Sequence, residues 1–123
     1  MSPVKKDPQR EERIFNDIVA DANDSAEQAM GWFGYLDSAL QFPFRAKCIA
    51  EKATSPLRKG ALVEVVGLSS ESEDLRGMYV EIPWEERTLA IPLGQVRPVP
   101  ATDDATKEAV ADWHYWLARE YEL

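Results

Sequence analysis

The sequence is poor in the residues that most often carry catalytic and metal-binding chemistry. It contains one cysteine, Cys48, and one histidine, His114. A single cysteine cannot form a disulfide within the chain, and a structural zinc site takes about four cysteine or histidine ligands. We therefore expect Cys48 to be a buried, unreactive thiol. His114 lies between aromatic residues, and we expect it to serve in packing or hydrogen bonding and not as a catalytic base.

Catalytic motifs and long hydrophobic runs are also missing. No serine lies in a nucleophile elbow, and no glycine-rich loop matches a phosphate-binding pattern. We therefore predict that the protein is not an enzyme. No apolar stretch approaches the roughly 20 residues that a membrane-spanning helix needs. The segment from Met1 to Arg13 is polar and charged, unlike a signal peptide. We expect a cytoplasmic protein that does not contact the membrane.

Positive charge is scarce relative to negative charge. Lysine and arginine number 14 against 22 aspartate and glutamate residues, which gives a formal net charge of −8. Such a surface repels nucleic-acid phosphates, so we expect no nucleic-acid partner. It attracts cations or basic proteins. Acidity that serves only solubility stays open as an alternative.

The chain length of 123 residues predicts a single domain, 1–123. We expect a loose tail at residues 1–7, followed by a helical hairpin over residues 8–41. Asp7 and Pro8 are typical of a helix start, with a capping side chain followed by a proline at the first helical position. Gly31 and Gly34 weaken an isolated helix, but they allow a neighbouring backbone or bulky side chain to approach closely.

The middle of the chain, residues 44–99, changes to the alternating pattern of β-strands. Five short strands separated by turn signals predict a small SH3-like barrel. A capping cluster at residues 102–104 then starts a C-terminal helix, predicted over residues 103–121. Trp113 and Trp116 lie on the apolar stripe of this helix, and we expect them to pack it back on the core. The predicted fold class is α+β.

The acidic residues of the helical hairpin are candidates for cation binding. Asp17 and Asp21 are four residues apart and share one helix face, with Asp24 next to them and Glu27 in the following helix. Calcium takes about six to eight oxygen ligands, mostly from carboxylates and carbonyls. The spacing is not that of an EF-hand, because Ala26 occupies the position of the required glycine. A solvated acidic helix face stays open as the simpler interpretation.

Two stretches of the chain are long and unusual enough to compare with known families. One runs from Ile14 to Cys48 and includes Glu27-Gln28-Ala29-Met30-Gly31-Trp32, and the other is Asp112-Trp113-His114-Tyr115-Trp116. Together with Ser55-Pro56-Leu57 between them, they resemble the cyanobacterial calcium-binding protein family, CcbP. The resemblance implies a soluble bacterial protein that binds Ca²⁺ through carboxylates and backbone oxygens without an EF-hand.

The resemblance also implies a set of ligands. Asp17, Asp21 and Glu27 lie in the matching segment, and Asp37 lies where the family tends to have consecutive acidic residues. In this chain Ser38 follows Asp37, so one carboxylate is replaced. Fewer charged ligands weaken calcium binding. The predicted calcium ligands are Asp37, Asp17, Asp21, Asp24 and Glu27, with Asp112 as a weaker candidate.

Two functions remain as predictions. The first is a calcium-binding protein that acts as a buffer or, with a protein partner, as a sensor. The alternative is an SH3-like protein-interaction module that presents an acidic surface to a basic partner, because such barrels often bind peptides and a fold does not fix a function.

Overall fold

Helical segments at both ends of the chain pack on two small antiparallel sheets. The computed structural model describes residues 7–20, 25–51, 55–69 and 78–118. The helices are α1 (Pro8–Arg13), which continues as a π-helical turn (Ile14–Ile18), α2 (Ser25–Ala39) and α3 (Asp104–Ala118). The strands are β1 (Phe44–Cys48), β2 (Leu62–Val65), β3 (Gly67–Leu68), β4 (Tyr79–Trp84), β5 (Arg87–Pro92) and β6 (Val96–Pro98), with a 3₁₀ turn (Leu93–Gln95) between β5 and β6.

Capping side chains set the starts of the two terminal helices. Asp7 accepts a hydrogen bond from the backbone N–H of Arg10 at 3.1 Å, and Pro8 follows at the first helical position. In the same way, Asp103 accepts from the N–H of Thr106 at 2.9 Å just before α3. Each cap satisfies a backbone donor that the first turn of a helix leaves unpaired. The helix starts predicted from these residues are confirmed.

The strands form two sheets, ordered β2-β1-β6 and β3-β4-β5, and every pair is antiparallel. Alternate residues of β1 are buried, namely Phe44, Ala46 and Cys48. Only Val66 separates β2 from β3, so one stretch of chain contributes an edge strand to each sheet. The α+β class is confirmed. Within the described residues, however, no ladder joins the two sheets into a closed barrel.

Tryptophan side chains form the centre of the core where α2 meets α3. Trp32, Trp113 and Trp116 are all at most 2 % exposed. The ring of Trp32 packs edge-on against both others, with centroids 5.0 Å from Trp113 and 5.5 Å from Trp116. Edge-to-face packing at this distance is favourable for aromatic pairs. The prediction that Trp113 and Trp116 pack the last helix on the core is confirmed.

A glycine allows α2 to cross the π-helical turn at close range. A side-chain carbon at Gly31 would lie 2.2 Å from the carbonyl oxygen of Ile18, closer than any real contact. At Gly34 the same carbon would have no neighbour within 4 Å. The close approach predicted for the two glycines therefore holds for Gly31 and is wrong for Gly34. None of the helices in the described part of the chain is long and apolar enough to cross a membrane.

Candidate functional site

The predicted calcium ligands that the structure describes lie on the outside of the helical region. Asp17 is exposed on the π-helical turn, Glu27 is exposed in the first turn of α2, and Asp37 is exposed near the end of α2. Asp21 and Asp24 lie outside the described residues. Exposed carboxylates retain their hydration and are accessible to a cation, which a metal site on the surface requires.

Asp17 and Glu27 are positioned by the same helix crossing. Asp17 directly precedes Ile18, whose carbonyl oxygen meets α2 at Gly31. Glu27 is four residues before Gly31, so the two share one face of α2. The crossing therefore brings the backbone next to Asp17 against α2 about one turn after Glu27.

Asp37 lies too far along α2 to share an ion with Glu27. Ten residues separate the two, which corresponds to a rise of about 15 Å in an α-helix. Both side chains lean towards the N-terminus of the helix, so the separation of their carboxylates stays similar. Oxygens that ligate one calcium ion lie about 5 Å apart at most, given bonds of 2.3–2.6 Å. Asp37 therefore belongs to a different position from Glu27.

The described residues alone do not assemble a complete metal centre. No group of three or more histidine, cysteine, aspartate or glutamate side chains converges within residues 7–20, 25–51, 55–69 and 78–118. Asp17, Glu27 and Asp37 consequently do not form one cluster of three carboxylates in the described chain. A calcium site at any of them needs further oxygen ligands, since calcium takes about six to eight.

Asp112, the weaker candidate, has a structural role that excludes it as a calcium ligand. Its side chain is fully buried and accepts hydrogen bonds from the two terminal guanidinium nitrogens of Arg13, at 2.6 and 2.8 Å, and from Arg10. The hydroxyl of Tyr35 donates to it at 2.6 Å. We call these four residues the Asp112 cluster. Because both carboxylate oxygens are occupied by donors, Asp112 is not available to a metal ion.

The Asp112 cluster joins all three helices and changes the acidity of its members. The hydrogen bond to Asp112 raises the pKa of Arg13 above its usual value, and burial opposes that rise. Burial raises the pKa of the Tyr35 hydroxyl, and the hydrogen bond to Asp112 adds to the effect. Both groups therefore keep their protons at every physiological pH. Arg13 also pairs with the exposed Glu108 at 2.9 Å.

The single histidine and the single cysteine have the structural roles predicted for them. Nε2 of His114 lies 2.8 Å from the carbonyl oxygen of Val96. Burial lowers the pKa of His114, and the nearby positive charge of Arg97 lowers it further, although hydrogen bonds to backbone carbonyls oppose the shift. Cys48 is 1 % exposed, and its thiol lies 3.0 Å from the carbonyl oxygen of Ala50.

Comparison with known proteins identifies the family. The sequence pattern of the CcbP family, described as calcium binding, matches residues 12–117. The crystal structure of CcbP from Anabaena is similar over the whole length of both chains, with 40% sequence identity and a TM-score of 0.85. A calcium-binding protein in its calcium-binding form is likewise similar over both full chains, with 38% identity and a TM-score of 0.84. A search of curated proteins finds no significant match. The chain belongs to the CcbP family of calcium-binding proteins.

Proposed function

We propose that this protein binds Ca²⁺ through the exposed carboxylates of its N-terminal helical region. The observation that carries the proposal is the similarity, over the full chain, to a calcium-binding protein in its calcium-binding form. The proposed ligands are Asp17, Asp21, Asp24, Glu27 and Asp37. Of these, Asp17, Glu27 and Asp37 are exposed on the helical surface, where a hydrated cation has access.

The spacing along α2 supports two calcium positions. Asp17 and Glu27 flank one helix crossing, and Asp21 and Asp24 are encoded between them in the sequence. Asp37 lies about 15 Å from Glu27 along the helix, which is too far for a shared ion. We infer a position with up to four carboxylates and a separate one at Asp37. The second position has the lower charge, because Ser38 follows Asp37.

We propose that the chain is one domain and that its two sheets correspond to an opened SH3-like barrel. The strand order, with β2 and β3 on either side of Val66 and a 3₁₀ turn before β6, supports this description. A cytoplasmic location stays a prediction. No observation favours the alternative of an interaction module for a basic partner.

Calorimetry tests the calcium proposal directly. The protein is stripped with a chelator and titrated separately with calcium and with magnesium at physiological salt. We expect saturable heat with calcium and a weaker response to magnesium, which demands stricter geometry and keeps its waters. Absence of heat and of any thermal shift at millimolar calcium would contradict the proposal. Equal responses to both ions would indicate only nonspecific attraction to surface charge.

Two aspartate substitutions distinguish the loss of a calcium ligand from a general loss of negative surface charge. Asp37→Asn removes one exposed helical carboxylate at the proposed second position, and Asp104→Asn removes an exposed carboxylate at the start of α3. Both lower the negative charge by one unit. We expect Asp37→Asn to abolish or weaken one calcium-binding event and Asp104→Asn to change calcium affinity by less than about twofold, since exposed charges are screened at physiological salt. Identical effects of the two substitutions would refute the assignment of Asp37.

Fluorescence distinguishes a sensor from a buffer. Trp32 is fully buried in the core, five residues before Asp37 on the same helix. A sensor must change shape on binding so that a partner can recognise the loaded state. Calcium-induced change in tryptophan emission or in core NMR signals would support a sensor. Spectra that change only at the ligands would assign the protein as a buffer.

A further inference from the structure

An open cleft lies beside the C-terminal helix α3. It is about 630 Å³ in volume and is bordered by α1, β6 and α3. We call it the α1–α3 cleft. Its volume lies in the range of about 300–1,000 Å³ that small-molecule sites occupy. Apolar surface from Pro98, Val110 and Ala111 forms part of its wall.

The charge of the cleft wall is opposite to that of the whole protein. Arg10, Arg97 and Lys107 border the cleft, with Asp7 as the one carboxylate in its lining. The chain as a whole has a formal net charge of −8. Basic side chains therefore outnumber acidic ones around the apolar surface of this cleft, which gives it the complementary charge for an anion.

Arg97 is the cationic side chain of the cleft that is most available to an anion, because Arg10 and Lys107 both lie near carboxylates. Its exposed guanidinium makes no ion pair with any residue in the described ranges. It lies near enough to His114 for its charge to affect the imidazole. His114 itself directs Nε2 at the carbonyl oxygen of Val96, so it does not neutralise Arg97. An unpaired guanidinium offers planar, two-pronged hydrogen bonding to a carboxylate or phosphate.

The two other cationic side chains of the cleft, Arg10 and Lys107, use only some of their hydrogen-bond donors. Arg10 donates one terminal nitrogen to Asp112, and its Nε lies 3.7 Å from Asp7. Lys107 contacts the carbonyl oxygen of Pro100 at 3.1 Å and lies 3.6 Å from Asp104, whose side chain is fully exposed. Exposed pairs of this kind contribute little energy, so Lys107 can turn to a bound anion at small cost.

We propose that the α1–α3 cleft binds a small organic anion with an apolar end. The acidic group, a carboxylate or a phosphate, lies against Arg97 and Lys107, and the apolar part packs on Val110 and Ala111. This site is separate from the calcium positions on α2 and takes a ligand of the opposite charge. It gives the protein a second binding activity that does not depend on the calcium proposal.

Octanoate is a suitable probe, and octylammonium and octanol are its controls because they have the same chain with positive or no charge. The full chain is titrated in excess chelator, so that calcium plays no part, and binding is followed by calorimetry and NMR. We expect octanoate to bind and to shift the ring signals of His114, the only histidine. Octylammonium and octanol should bind at least about tenfold more weakly, because they lose the charge-assisted hydrogen bonds.

Two double variants test the position of the site. Arg97→Gln with Lys107→Gln removes both proposed anion contacts, whereas Arg58→Gln with Arg87→Gln removes two exposed cations that do not border the cleft. We expect the first to weaken octanoate binding by about fivefold or more and the second by less than about twofold. Equal weakening by both would show attraction by overall charge and overturn the proposal. Equal binding of octanoate and octanol, or NMR shifts confined to other surfaces, would also overturn it.

Discussion

Replacement of Asp112 by asparagine tests how much the Asp112 cluster contributes to the stability of the fold. Asp112→Asn keeps the size and shape of the side chain but removes its charge. The wild-type carboxylate is fully buried and accepts from Arg10, from two nitrogens of Arg13 and from Tyr35. In the variant one carboxylate oxygen becomes an NH₂ group that faces donors. The two arginines lose their shared counter-charge, so the native state should be destabilised.

The magnitude follows from how far each partner is buried. Breaking a buried ion pair by removing one partner costs about 3–5 kcal/mol. The side chains of Arg10 and Arg13 are 26% and 31% exposed, so each recovers some hydration when the carboxylate is lost. We therefore expect the lower end, a loss of about 3 kcal/mol in the free energy of unfolding. For a chain of this size the melting temperature should fall by about 12 °C.

Urea unfolding, followed by tryptophan emission in chelator, measures this loss. The control is Glu108→Gln, which removes a carboxylate that pairs with the same Arg13 from the same helix but is 55% exposed. We expect the control to cost less than about 1 kcal/mol, as exposed pairs do. The reasoning would be refuted if Asp112→Asn lowered the free energy of unfolding by less than about 1 kcal/mol, or if both variants lowered it equally. Either result would show that burial does not make the Asp112 cluster important for stability.

Further predictions concern single side chains with clear physical environments. Gly31→Ala forces a methyl group against the carbonyl oxygen of the π-helical turn and should cost about 1–3 kcal/mol, whereas Gly34→Ala fills open space and should gain about 0.5–1 kcal/mol, both by urea unfolding. The pKa of Tyr35 is raised in the folded state, so its contribution to stability is complete below about pH 10 and is lost above it; absorbance titration should show one tyrosine that ionises late, and Tyr35→Phe should remove that step. The pKa of His114 is lowered, so its contribution is present above about pH 6.5 and is lost as the pH falls; an NMR titration should place its midpoint below 6.5, and Arg97→Gln should raise it. The assignment of Tyr35 would be wrong if the late tyrosine step persisted in Tyr35→Phe. The assignment of His114 would be wrong if its midpoint lay above about 6.5. Equal effects of Gly31→Ala and Gly34→Ala would contradict the reasoning on the two glycines.

Features of the fold that depend on neighbouring residues could be predicted from the sequence. The cap at Asp7 involves a backbone N–H three residues later, and the alternation in β1 repeats every second residue. Such signals come from residues that are a few positions apart in the sequence, so they can be read without knowledge of the tertiary structure. The tryptophan contacts of α3 followed in the same way, since Trp113 and Trp116 lie three residues apart on one helix face.

Features that depend on distant parts of the chain could not be predicted. Asp112 is 102 residues from Arg10 and 99 from Arg13, and no local pattern connects an aspartate near one end with arginines near the other. The π-helical turn was also missed, because the spacing of Ile14 and Ile18 fits an ordinary α-helix equally well. Its extra residue is visible in the bond from the N–H of Val19 to the carbonyl oxygen of Ile14, five residues earlier.

The candidate calcium site could be predicted from the sequence only in part. Sequence spacing placed Asp17 and Asp21 on one helix face and Glu27 in the next helix, but only the crossing at Gly31 shows how the two helical segments approach. The separation of Asp37 from Glu27 follows from helix geometry once α2 is known to be continuous from Ser25 to Ala39. Asp112, by contrast, has the same residue type and charge as the predicted ligands and a different role, which burial alone reveals.

Substitution of the exposed Asp37 and of the buried Asp112 should affect stability in different ways when calcium is added. A ligand that binds only the native state stabilises it by RT ln(1 + [L]/Kd), about 2.7 kcal/mol at one hundred times Kd. Asp37→Asn should therefore leave the chelated protein as stable as wild type and reduce only the gain from calcium. Asp112→Asn should lower stability equally with and without calcium, because its carboxylate serves Arg10 and Arg13 and not the ion. Unfolding curves of both variants in chelator and in saturating calcium make the comparison. A calcium-dependent loss for Asp112→Asn, or a loss for Asp37→Asn in chelator, would show that buried and exposed carboxylates do not divide the roles in this way.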